Sequence, residues 1–134
     1  GSMRDFAAKC VDHFDAMKRK SVLKISRSGQ QGMLACLELN EDFAREENAL
    51  KALVEAYPNE PTFLSRTARM LRKQKKYDQA LEYVKKAEDL SYGYNWFMLE
   101  VLKTNLLLDL KHADQAKEVV HQALAQIALD PTKA

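Results

Sequence analysis

The sequence predicts an all-α fold of about seven helices arranged as antiparallel hairpins. Three observations lead there. Glycine and proline are scarce, four and three in 134 residues, so little interrupts long helices. Apolar residues recur at spacings of three and four along most of the chain. One stretch of the second half, Tyr77 to Ala87, recurs in part at Ala113 to Ala123.

Composition narrows the function classes. A hydrophobic share of 46% and a charged share of 30% are those of a globular chain, and the length suits one domain with a real core. A net charge of +2 gives no sign of nucleic-acid binding unless the basic residues gather on one face. No apolar run approaches the roughly 18 residues of a membrane span, so membrane insertion is not expected. Gly1 and Ser2 before Met3 read as the scar of a cleaved tag. With Met3 as the natural start the protein would be cytoplasmic; as an excised domain its compartment would be unknown.

The expected helices lie near residues 4–19, 28–40, 43–57, 62–74, 77–90, 95–110 and 113–128. In the first, Phe6, Cys10, Phe14 and Met17 share a face. It can continue past Lys20, since Val22, Leu23 and Ile25 are good core material. The second and third are placed by the repeat described below. The fourth carries Leu64, Ala68 and Leu71 on one side, with Pro61 in its first turn, where a missing N–H costs nothing. The fifth presents Ala80, Val84 and Ala87 on one face. The break Lys75-Lys76 is so short that the fourth and fifth must be antiparallel neighbours. The sixth carries Phe97, Val101, Thr104, Leu107 and Leu108, and the seventh Ala116, Val120 and Ala123.

The fifth and seventh helices are copies. Tyr77 to Ala87 and Ala113 to Ala123 agree at six of eleven positions: Asp, Gln, Ala, Glu, Val and Ala. Small alanines let a neighbouring helix approach closely. Asp78 and Asp114 sit where a carboxylate suits the unpaired amides and the dipole of a helix start.

In these residues the chain resembles the tetratricopeptide repeat family, whose unit of about 34 residues reads W-x2-L-G-x2-Y, A-x3-F, P. Leu64, Thr67, Ala68, Leu71, Ala80, Val84 and Ala87 stand at its places. The following unit starts near Phe97, so two residues are inserted around Tyr92-Gly93-Tyr94. Its first helix departs from the pattern at Glu100 and Lys103, which fits an atypical terminal repeat with a solvated face. Stepping back 34 residues puts Met33, Leu34 and Leu37 in a first helix and Phe43, Leu50 and Leu53 in a second. There Glu46 takes the place of the small alanine, unless a shift puts Ala49 in it.

The resemblance implies hairpins stacked as a short superhelix. Residues 1–3 would be tag remnant and start, 4–27 an N-terminal helix or cap, and 28–134 a repeat domain in units 28–60, 61–94 and 95–130.

No catalytic motif is present: no P-loop, Gly-rich phosphate loop, nucleophile elbow or H-E-x-x-H. His13, His112 and His121 are isolated, and the carboxylates of Glu38 to Glu47 lack the alternation and turn glycine of a calcium loop. No catalytic activity, cofactor or metal is therefore expected. Cys10 and Cys36 form neither C-x-x-C nor a disulfide framework. They read as small core residues with reduced thiols; one reactive thiol is the alternative.

Arg66, Arg69, Arg72 and Lys73 follow the helical spacing along one side of the fourth helix. The family lines a concave groove with its first helices, so this row would meet carboxylates of an acidic peptide. The alternative is an ordinary charged solvent face. Asn105 falls at a groove-facing place of the last unit. The carboxylate clamp of the chaperone-binding subset is not present as a whole, since Gln31 and Ala35 hold its places. Tyr92, Tyr94, Trp96 and Phe97 are either interface anchors or filling between hairpins.

The expected function is a scaffold or adaptor binding a protein or peptide, acidic ones included, and not nucleic acid. One alternative is a structural module whose terminal helices dimerise through Met98, Leu106, Leu108 and Leu110. Another is an accessory domain of a larger enzyme or secretion component.

Overall fold

The computed structural model describes residues 22–129 together with Asp5, Phe6, Ala8, Lys9, Cys10 and Asp12. Among these residues the fold is all-helical, without strands. A 3-10 turn, Val22–Lys24, precedes α1 (Arg27–Leu39), α2 (Phe43–Ala56), α3 (Pro61–Lys73), α4 (Tyr77–Glu88), α5 (Gly93–Asp109) and α6 (Ala113–Leu129). These are seven helical segments among the described residues from Val22 onward. The six described N-terminal residues are helical as well, and the rest of the helix expected over 4–19 lies outside the described residues. The chain divides into two compact units, Gly1–Pro58 and Asn59–Ala134.

In the first unit α2 packs against α1 and against the 3-10 turn. Val22–Lys24 is a 3-10 turn rather than α-helix, with Val22 buried and Leu23 exposed. Ser26 ends it: its hydroxyl accepts from the Gly29 amide at 3.3 Å and caps α1. Asp42 caps α2 in the same way through the Arg45 amide at 3.3 Å.

The core of this unit holds Met33, Leu34, Leu37, Leu50 and Leu53. It also holds two polar side chains. Gln30 donates through Nε2 to the Val22 carbonyl at 3.1 Å, tying the 3-10 turn to α1. Glu46 is only 1% exposed, so the chain does bury a carboxylate where the repeat pattern has a small alanine, and it buries Ala49 as well. Cys10 and Cys36 are joined as a disulfide with Cα atoms 5.6 Å apart, which corrects the expectation of reduced thiols. Their separation of 26 residues carries no sequence signature; only the fold brings them together.

In the second unit α3 packs on α4, α4 on α5, and α5 on α6. Short connections make each helix antiparallel to the one before. Ala80 and Ala87 of α4 are fully buried, and Ala116 and Ala123 of α6 nearly so, at the close contacts their size permits. Phe63, Leu64, Ala68, Met70 and Leu71 fill the space beneath α3.

The connections are alike in detail. Glu41, Lys75 and Lys111 each adopt a positive φ, 54°, 63° and 65°. Each donates to the carbonyl three residues back, and the next residue donates to the carbonyl five residues back: Asp42 to Leu37, Lys76 to Leu71, His112 to Leu107, at 2.8 to 3.0 Å. This is the left-handed C-terminal cap of a helix, built without glycine. From Glu41 to Lys75 is 34 residues, and from Lys75 to Lys111 is 36. The two additional residues fall in the stretch that contains Gly93, at φ 62°.

Candidate functional site

A groove of about 520 Å³ lies between α3 and α5. Its position follows from the packing: α4 contacts both helices, and their remaining sides face one another across open space. From α3, Thr62, Ser65 and Arg69 line it at spacings of three and four, with Pro61 at the entrance. From α5, Asn95, Met98, Leu102 and Asn105 form the facing wall, joined by Tyr94 and Val101. The two walls differ in chemistry. The α3 wall is hydroxylic and cationic, whereas the α5 wall is mostly apolar with an amide at each end.

Thr62 and Asn95 belong to helix N-termini, while Arg69 and Asn105 lie further along the same two helices. The groove therefore runs parallel to both axes. At 1.5 Å per residue it extends roughly 12–16 Å, the length of about 4–5 residues of extended chain. Tyr94, 69% exposed, stands at one end. Arg69 and Asn105 stand at the other, and Arg69 is the groove's one charged lining residue.

The residues singled out from sequence are distributed unevenly around it. Arg69 and Asn105 share the groove, although they come from different helices. Arg72 lies one turn beyond Arg69, where its Nε donates to Asp109 Oδ2 at 2.7 Å. That ion pair joins α3 to α5 past the end of the groove. Arg66 is half-buried and Lys73 exposed; neither lines the groove, and each has an interaction of its own. The four cations thus do not act as one row.

Two further placements were not legible. Glu100 and Lys103, expected on a solvated face, turn inward. Glu100 is 8% exposed, and Lys103 Nζ reaches Glu88 of α4 at 3.3 Å. Asp109 went unnoticed because its partner is 37 residues away. The apolar part of the α5 wall had a signal in Met98, Val101 and Leu102, but the surplus of apolar residues in this helix hid which of them face outward.

Outside the groove, Val120, Leu124 and Leu129 are exposed on α6, as is Leu108 on α5. Tyr92 is 80% exposed at the turn before α5. Among the described residues no group of His, Cys, Asp and Glu is arranged to hold a metal ion, and no helix is long and apolar enough to cross a membrane. No family model, curated protein or solved structure matches the chain.

Proposed function

We propose that the protein is a helical-repeat scaffold of tetratricopeptide type that holds an extended peptide segment of a partner protein in the groove between α3 and α5. The observation that carries this reading is the meeting of Arg69 and Asn105 in one groove beside an apolar wall. A primary amide suits a peptide backbone, since it donates and accepts at once. A guanidinium suits a carboxylate. Apolar side chains then supply the area. The repetition of one left-handed helix cap at 34 and 36 residues and the buried alanines of α4 and α6 support the repeat reading. On this reading the chain is a binding module, not an enzyme, and its partner is a protein.

The test uses peptides selected from a displayed random library. Arg69→Glu combined with Asn105→Ala should abolish their binding while the circular dichroism spectrum stays that of the parent. Binding should also weaken with salt, because exposed charges are screened beyond about 8–10 Å. Unchanged affinity in the folded double variant would overturn the groove assignment.

A second reading, self-association, has its own observation: the exposed apolar residues Val120, Leu124 and Leu129 along α6. Mass measured against concentration separates the two. A monomer across the micromolar range removes this second reading.

A further inference from the structure

We propose that Asp109 is a specificity determinant of the groove: by pairing with Arg72 it limits the site to peptides with a single acidic side chain at the Arg69 end. This inference rests on the peptide-binding reading above and adds what the peptide must contain.

Arg69 and Arg72 follow one another on α3 at a spacing of three, so both project toward the α5 side. Left to itself, such a pair would make a site for two carboxylates about 6–7 Å apart, the separation of acidic residues two positions apart on one face of an extended chain. The fold spends one of the two cations internally. Asp109, the last residue of α5, accepts a hydrogen bond from Arg72 Nε through Oδ2 at 2.7 Å. The α5 wall supplies no carboxylate to Arg69, because the residue one turn before Asp109 is Asn105. One arginine is thus neutralised and its neighbour is presented to the groove.

The charge balance selects the ligand. A segment with one Asp or Glu near Arg69 gains a charge-assisted hydrogen bond. A second acid next to it would meet the Arg72–Asp109 pair, where the Asp109 carboxylate repels it. Toward Tyr94 and Met98, about 3–4 residues away in extended chain, the segment must be uncharged, since that part of the groove offers hydroxyl, amide and apolar groups but no charge.

The experiment selects short random peptides, displayed either between linkers or with a free C-terminus, against the wild type, Asp109→Asn and Asp109→Asn with Arg72→Gln. Wild type should enrich peptides with one acidic side chain in both formats, and Arg69→Gln should weaken them about 10-fold or more. Asp109→Asn frees Arg72. It should enrich peptides with two acids two positions apart and bind them about 10-fold tighter than wild type does. Adding Arg72→Gln should cancel that gain and return the selection to single-acid peptides.

The same number of acids selected by wild type and Asp109→Asn would overturn the inference, as would a gain that survives Arg72→Gln. Enrichment confined to free C-termini would overturn the assignment to a side chain. Peptides that need Asn105 but show no acid preference would overturn the inference alone and leave the groove reading standing. If no selected peptide depends on Asn105 or Arg69, the groove reading falls, and the inference falls with it.

Discussion

The hairpins α3/α4 and α5/α6 are built on the same second-helix sequence, yet they are finished differently. In α3/α4 the inward positions are occupied by Phe63, Leu64, Ala68, Ala80, Val84 and Ala87, and α4 is packed between α3 and α5. In α5/α6 the inward set includes the carboxylate of Glu100, while Met98, Val101, Leu108, Val120 and Leu124 are exposed. One hairpin keeps its apolar residues inside; the other spends several on its surface. A core needs only one apolar face per helix, so the surplus on α5 is available as the wall of the groove.

The largest effect should come from the core of the first hairpin. Phe63 has no exposure, and Phe63→Ala should cost about 3–5 kcal/mol. Leu124→Ala, on the exposed side of α6, should change stability by less than about 0.5 kcal/mol. Denaturant melts of the two variants measure this contrast. Similar losses would mean that α6 is covered in solution.

The hairpin positions were legible because their signals are local. The alanines of α4 and α6 announce close packing, and Pro61 fixes the start of α3. The groove was legible only in part, because the contacts beside it are distant in sequence. Arg72 and Asp109 are 37 residues apart, and Lys103 and Glu88 are 15 apart. A helical spacing of three placed Arg69 and Arg72 on one side, but could not say that only one of them is presented to the groove. The fate of Glu100 and Lys103 was hidden for a similar reason: a charge at an inward place looks solvated until its partner is seen.

The alanines come next in size. Ala80→Leu and Ala116→Leu should each overpack a helix contact and cost roughly 1–3 kcal/mol. Equal losses would show that the two hairpins are packed alike despite their different surfaces. No loss at Ala80 would overturn the register of the repeat.

The ion pair that bridges the two hairpins, Lys103 of α5 with Glu88 of α4, should matter about as much as one buried polar contact. Lys103→Met leaves Glu88, whose side chain is 16% exposed, without its partner, and should cost about 1–2 kcal/mol. Combining it with Glu88→Gln should recover part of the loss, as a double-mutant cycle would report. Purely additive losses would mean that the pair contributes nothing as a pair.

The smallest effect sharpens the common feature of the hairpins, their caps. Lys75 and Lys111 hold left-handed conformations that glycine adopts without steric cost. Lys75→Gly and Lys111→Gly should each raise stability by up to about 1 kcal/mol. Thermal melts that show a loss instead would argue that these lysines make contacts which outweigh their backbone strain.

The central claim is that the space between α3 and α5 is where a partner binds. Backbone amide shifts of isotope-labelled protein, followed during titration with a selected single-acid peptide, test it most directly. The account predicts shifts concentrated at Ser65, Arg69, Met98, Leu102 and Asn105, with α6 unmoved. Shifts gathered instead around Val120, Leu124 and Leu129, with the groove residues silent, would contradict it.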